Sequence, residues 1–390
     1  MSTDDVSPVP RTAAPREAPP AVTAMVRLIS DTWRQAAPYL PEMSKTFYGL
    51  LFTLAPDVRE MFPVNVEVRR GKLMRAIARV VQMVDRPGDL VPFLTQLGRD
   101  YRKYDVESRH YEAIGTAMLA ALREQLGPAW TPEVERAWAE GYTIVARSMQ
   151  EAAASDPSPA RLSATVTDHR RLSWDLAMVR VEPEARLPYR AGQYVSIEIP
   201  QRPRLWRYYS PANAPRPDGS LEFHVRAVDG GWVSRAIVSH TQPGDVWQIG
   251  PPLGRLSVDR ESGRDVLMIA GGTGLAPLRA LLDELARWGK NPNVTLFFGG
   301  RTVDDLYVLD DLHRLASSNP WLRIVPVVEH GEVAGAEKGT LAEAVTRRGA
   351  WPNHDILVSG SPQMIRTTVS RMLVAGTSLD QIAYDPFTLD

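Results

Sequence analysis

"IAGGTGLAPLRALL", residues 269–282, ends an apolar run and opens a helical pattern within one turn. Its glycines at 271, 272 and 274 permit a tight bend and a close backbone approach to a ligand. Pro277 suits the first turn of the helix that follows. A helix N-terminus placed at a strand end favours a bound pyrophosphate. Gly271, Gly272, Thr273, Gly274 and Pro277 are therefore candidate nucleotide-binding residues. Such a turn is weak evidence by itself, so its surroundings decide its meaning.

Downstream, strands and helices alternate. "DVLMIA" (265–270), "NVTLFFGG" (293–300), "RIVPVVE" (323–329), "DILVSG" (355–360) and "QIAYDPF" (381–387) read as strands. "LYVLDDLHRLASS", "GTLAEAVTRRG" and "SPQMIRTTVSRMLVAG" read as helices between them. This order predicts a doubly wound parallel sheet over residues 261–390, with ligand chemistry at its strand C-termini. "SGSPQM", residues 359–364, is a second turn of that kind and makes Gly360, Ser361 and Met364 candidates. Arg301, in "FFGGR", lies at a third strand end and is a further candidate.

Upstream, residues 161–260 show short strands separated by Gly- and Pro-rich turns, which predicts a closed antiparallel barrel. Two polar stretches interrupt it. In "RYYS" (207–210), Arg207 can neutralise a diphosphate, Tyr209 can stack on a flat heteroaromatic ring, and Ser210 can reach its polar atoms. In "GGWVS" (230–234), the backbone at Gly231 and Val233 and the Ser234 hydroxyl offer a second phosphate grip. The same five residues also read as a plain hairpin turn.

Residues 21–153 carry helical periodicity throughout. "SRHYEAIGTAMLAALREQLG" puts Tyr111, Ile114, Met118 and Leu122 on one stripe. The following helix starts with Thr131 as N-cap and Pro132 at its first position. Residues 154–160, containing "SDPSPA", read as a linker, and residues 1–20, rich in proline and alanine, as a disordered tail.

Composition narrows the chemistry. The 390 residues are 44% hydrophobic and 23% charged, with a formal net charge of −1. Such a balance provides no basic field for nucleic acid. Absence of cysteine rules out disulfides, a thiol nucleophile and thiolate-held iron–sulfur clusters. With no signal peptide and no apolar run near the roughly 18 residues a membrane span needs, the expected location is the cytoplasm.

The ordered series RxYS, GGxxS, GGTGLAP, FFGGR, SGSPQM and YDPF, with "YRAGQY" at 189–194, resembles the ferredoxin–NADP reductase superfamily over residues 161–390. The resemblance implies FAD at Arg207, Tyr209, Ser210 and the Gly231–Ser234 turn. It implies NADH or NADPH at the Gly271–Pro277 turn and the Gly360–Met364 segment, with Phe387 covering the flavin. Preceded by a helical domain, the series resembles the bacterial flavohaemoglobins across almost the whole chain. "TFYGLLFTLAPDVREMF" (46–62) resembles that family's B and C helices, which makes Tyr48 the distal tyrosine and Phe62 the aromatic packed over haem b. "RRGKLMRAI" (69–77) resembles the distal E helix, with Arg69 in place of a glutamine and Leu73 facing the haem.

The proximal side departs from the family. Aligning its buried tyrosine with Tyr111 puts Tyr101 at the proximal histidine position and Asp100 at that of the preceding lysine. His110 is the only histidine in the first 168 residues and falls out of register, as a surface or helix-cap residue. Glu151 is the nearest match to the proximal glutamate, and is offset. A tyrosinate ligand favours ferric iron, and Asp100 beside it is expected to repel that charge. The alternative is that Tyr101 merely fills space and haem binds poorly. In the reductase, Ser359 stands for a cysteine and Asp385 for a glutamate.

The family implies hydride transfer from NAD(P)H to FAD, single-electron transfer to haem, and oxidation of nitric oxide to nitrate with oxygen. Two other readings stay open: a flavin reductase for another acceptor, and a haem-based redox or gas sensor.

Overall fold

The computed structural model describes residues 20–62, 67–332 and 334–385; the side chains of residues 20, 21 and 67–73 lie outside the described set. Leu73, Arg69 and Phe387 therefore fall outside it, as does the predicted tail through residue 19.

Six helices come first: α1 Pro20–Ala36, α2 Leu40–Leu54, α3 Glu67–Gln82, α4 Pro87–Tyr101, α5 Ser108–Leu126 and α6 Pro132–Ser155. The predicted stripes are the buried faces. On α5, Tyr111, Met118 and Leu122 are buried, and on α6 Val134, Trp138 and Met149 are. Thr131 caps α6 by accepting from the Val134 N–H at 3.3 Å. Helix α4 lies unusually close to α6, because a Cβ on Gly98 would stand 2.3 Å from the Met149 carbonyl oxygen. Only glycine permits that approach.

Strands β1 Leu162–Arg171, β2 Leu176–Pro183, β3 Val195–Glu198, β4 Arg207–Tyr209, β5 Leu221–Arg226 and β6 Val246–Ile249 follow. They form one antiparallel sheet in the order β4-β3-β6-β1-β2-β5. A bridge between Pro211 and Phe223 brings its two ends together, which nearly closes the barrel. Val179, Val195, Ile197, Phe223 and Trp247 fill its interior. The GGWVS stretch is not a hairpin turn. Gly231 is instead the N-cap of helix α7, Trp232–His240.

The last third contains β7 Asp265–Gly271, α8 Leu275–Leu285, β8 Val294–Gly300, α9 Leu309–Ser317, β9 Leu322–Val328, β10 Glu337–Lys338, α10 Leu341–Thr346, β11 His354–Ser359, α11 Pro362–Val374 and β12 Ile382–Ala383. Its sheet is parallel throughout, in the order β10-β9-β8-β7-β11-β12. Chain order reverses between β7 and β11, so a crevice opens beyond their C-terminal ends. Arg226 joins this lobe to the barrel, bonding Asp175 at 2.8 Å and Asp305 at 2.9 Å.

Candidate functional site

The turns after β7 and β11 meet in the crevice. A Cβ on Gly274 would lie 2.5 Å from the Gly360 Cα, so these two glycines exist to bring the loops together. Beside them lies a cleft of about 650 Å³ whose walls include Gly271, Gly272, Arg301, Ser361 and Met364. Ser361 caps α11 by accepting from the Met364 N–H at 3.2 Å. Pro277 is buried within α8, and the Arg301 side chain is 71% exposed at the cleft edge. This cleft has the size and the helix N-termini for a dinucleotide.

The barrel supplies a second set. Arg207 and Tyr209 flank Tyr208 on β4, and alternation along the strand separates their directions. Tyr209 packs against the barrel core. Burial pushes its phenol well up, partly offset by the Arg207 charge. The Ser210 hydroxyl is buried and has no hydrogen-bond partner among the described residues. A buried hydroxyl in that state is costly unless a ligand completes it. That observation fits FAD at this position. The Ser234 hydroxyl, by contrast, is engaged locally, with the Gly231 carbonyl and the Val228 N–H, both at 3.3 Å.

Asp385 sits where barrel and last sheet adjoin. Its Oδ1 accepts from the Arg255 N–H at 3.1 Å, whereas Oδ2 is buried without a partner among the described residues. Burial pushes its pKa up from 3.8 to about 6, despite the Arg255 and Leu256 N–H groups. The folded protein thus holds this proton more tightly than the unfolded chain does. The stabilisation is complete below pH 3.8 and is lost as pH rises through about 6. Asp385→Asn is expected to remove this dependence and to stabilise the full chain at pH 7.5 by about 1–3 kcal/mol. Melting temperatures at pH 4.5 and 7.5 check it: the gap between parent and variant should be small at the lower pH and widen at the higher.

In the helical domain, an apolar cavity of about 110 Å³ lies among α3, α4, α5 and α6. Ile77, Leu97, Tyr101, Tyr111, Met118 and Tyr142 are among its walls. Tyr48 and Phe62 do not line it. They form an aromatic cluster with Phe52, with the Tyr48 and Phe62 ring centroids 5.7 Å apart. Tyr111 is buried, which raises its phenol to about 12. The Tyr142 hydroxyl donates to the Tyr111 carbonyl, and burial raises its pKa too. Glu151 is exposed and pairs with Arg147 at 3.8 Å.

His110 is a cap rather than a surface residue, being only 2% exposed. Its Nδ1 accepts from the Glu107 N–H and its Nε2 bonds Asp57, each at 2.9 Å. That hydrogen bond holds the Asp57 carboxyl below its usual pKa. Both ring nitrogens are engaged in hydrogen bonds in this structure. The expected repulsion by Asp100 is also corrected. Asp100 is turned from the cavity toward the barrel, where Lys103 Nζ lies 2.6 Å from Oδ1 and the Tyr208 hydroxyl donates to Oδ2 at 2.7 Å. The cavity is lined by carbon with Tyr101 in its wall, and at about 110 Å³ it is smaller than a porphyrin.

Known proteins carry the same parts. Family models match residues 45–149 as a globin, 163–258 as an oxidoreductase FAD-binding domain and 268–370 as an oxidoreductase NAD-binding domain. The chain is thus a globin joined to an FAD- and NAD-binding oxidoreductase. It is similar to flavohaemoproteins along most of its length. One of these, from Bordetella parapertussis, is 27% identical over 337 residues, covering 78% of this chain and 80% of the relative. The xylene/toluene monooxygenase electron transfer component of Pseudomonas putida is 28% identical over 235 residues, 59% of this chain and 66% of that protein. The crystal structure of a flavohaemoglobin from Malassezia yamatoensis, with bound FAD and haem, shares the fold with a TM-score of 0.80 at 18% identity. It covers 94% of this chain and 99% of its own. Among the described residues, no helix is long and apolar enough to cross a membrane.

Sequence reading missed Tyr208, Lys103 and the proximity of α4 to β4. The period-two rule carried one usable signal. If Tyr209 serves the flavin, Tyr208 must serve something on the other side.

Proposed function

We propose that the chain oxidises NADH or NADPH through FAD and delivers the electrons to haem in the globin domain, acting as a nitric oxide dioxygenase. When bound, FAD converts hydride chemistry to single electrons, and haem supplies the iron that takes oxygen and nitric oxide. Arg207 neutralises the FAD diphosphate, Tyr209 stacks on the ring and Ser210 bonds its polar edge. The first turn of α7, at Gly231, Val233 and Ser234, holds the pyrophosphate. Gly271, Gly272 and Thr273 receive the nicotinamide dinucleotide; Gly274 and Pro277 shape that turn, and Arg301 meets the adenosine end. Gly360, Ser361 and Met364 press the nicotinamide toward the flavin. With haem bound, Tyr101 would hold the iron and Tyr111 would pack beside it, while Tyr48, Phe62 and Leu73 would serve the oxygen- and nitric-oxide-binding side.

One observation carries this reading: the Tyr208–Asp100 hydrogen bond of 2.7 Å joins the flavin-holding strand to the helix that ends at Tyr101. That contact supports a short path from the proposed flavin site to the proposed haem site. A second reading, a reductase for another acceptor, is favoured by one fact alone, the commitment of both His110 nitrogens. Visible spectra of the purified chain, followed by nitric oxide consumption under NADH or NADPH, separate the two. Stoichiometric haem with rapid consumption supports the first. Flavin reduction without haem and without consumption defeats it.

A further inference from the structure

Lys103 is among the largest fully buried side chains of the protein, which is rare for an ammonium group. It lies just beyond α4, and three aromatic rings surround it. Its Nζ is 5.1 Å from the Tyr104 ring, 5.4 Å from Trp206 and 5.0 Å from Tyr208. Asp100 balances its charge at 2.6 Å, and both side chains are at most 4% exposed. Tyr208 and Trp206 belong to the barrel, whereas Asp100, Lys103 and Tyr104 belong to the helical domain. A dry ion pair is expensive to assemble and gains its keep through geometry, since it forms only when all partners are in register.

That register involves the flavin strand. Tyr208 stands between Arg207 and Tyr209 on a strand of only three residues. Moving β4 therefore moves both the cage and the flavin contacts. Around the cage the same boundary is stitched further: Gln96 donates to the Tyr194 hydroxyl at 2.5 Å, and the Tyr194 and Tyr208 rings lie 5.3 Å apart. The segment connecting the domains is pinned as well, with Arg99 bonding Asp156 at 2.6 Å and Arg161 pairing with Asp105 at 2.8 Å.

We propose that Asp100, Lys103 and Tyr208 form a positioning latch between the helical domain and the flavin-holding strand, so that occupation of the flavin site and closure of the interdomain contact are thermodynamically coupled. The inference rests on FAD binding at Arg207, Tyr209 and Ser210. FAD orders β4, ordered β4 presents Tyr208 to Asp100, and the closed cage holds the end of α4. By reciprocity, breaking the cage weakens FAD binding by the factor by which FAD strengthens the cage.

Hydrogen exchange on the full chain, with FAD bound and after its removal, tests this. In the parent, FAD removal should accelerate exchange across residues 96–105 at least tenfold. In Asp100→Asn combined with Lys103→Met, which removes both charges at nearly constant volume, that ratio should fall below twofold. Tyr208→Phe keeps the ring and deletes only the hydroxyl, so it carries the test should the double variant not fold; its ratio should fall to less than half the parent value. A parent whose exchange ignores FAD, or variants that keep the parent ratio, overturn the latch. Arg207→Ala separates the causes. Unchanged FAD affinity in that variant overturns the flavin site and the latch with it, whereas lost affinity alongside a flat parent ratio overturns the latch alone.

Discussion

Arg207→Ala is expected to weaken FAD binding by about tenfold to a hundredfold, the loss of one charge-assisted hydrogen bond worth about 1.5–3 kcal/mol. The residue occupies the first position of β4, half-buried, with its Nη1 donating to the Trp206 carbonyl at 2.9 Å. This anchor aims the guanidinium, and a fixed fork is what recognition of a diphosphate requires. Two neighbours make the expectation specific. Tyr209 lies two residues along the same strand, and Ser210 follows with a buried hydroxyl that lacks a partner among the described residues. Titration of the FAD-free protein, read by flavin fluorescence, gives the dissociation constant directly. The NAD-binding lobe should be unaffected, because its sheet and cleft are built from residues beyond 264 except for Arg226 at the cleft edge. An unchanged dissociation constant would remove Arg207 from the flavin site.

What could be read from the sequence followed the range of the interactions. The Gly271–Gly274 and Gly360–Met364 turns were legible because strand, turn and helix are consecutive, and local rules determine them. The parallel sheet followed from the same alternation. The barrel was legible as short strands with period two, although its near-closure at Pro211 and Phe223 depends on register that no local pattern encodes. GGWVS stayed ambiguous because two glycines suit both a turn and a helix N-terminus. Only the packing of Val233, Ala236 and Ile237 into the barrel decides for a helix. The contacts between the helical domain and the barrel were invisible. Asp100 and Tyr208 are 108 positions apart, so Asp100 read as a bare carboxylate beside a proposed ligand. Its real partners are a lysine three residues on and a phenol from another domain. A buried lysine is equally hidden, since its composition signal is that of any surface residue.

The helical domain poses the sharper question, and Tyr101→His is expected to answer it. Three tyrosines line the described cavity: Tyr101, Tyr111 and Tyr142. Burial holds Tyr111 protonated to about pH 12, and the Tyr142 hydroxyl is spent on the Tyr111 carbonyl. Neither suits an anionic ligand. Tyr101 is only partly buried at the end of α4, beside a ring contact with Tyr104 at 5.8 Å. Ligation must displace a proton whose ordinary pKa is about 10, with help from the iron charge. Asp100 does not oppose this, because Lys103 neutralises it on the barrel side. The parent should accordingly show a phenolate-to-iron absorption band and a low haem potential. In Tyr101→His the band should give way to a histidine-ligated globin spectrum, with a higher potential and faster nitric oxide consumption. Tyr101→Phe should lose haem, or bind it without the band. His110→Ala should leave the spectrum alone and destabilise the domain by about 1–2 kcal/mol, through the lost cap and the lost Asp57 bond. The decisive reverse result is a histidine-type spectrum in the parent that survives Tyr101→Phe and vanishes in His110→Ala. Iron would then have taken His110 from its cap, a rearrangement that must break the 2.9 Å hydrogen bond of the nitrogen that ligates.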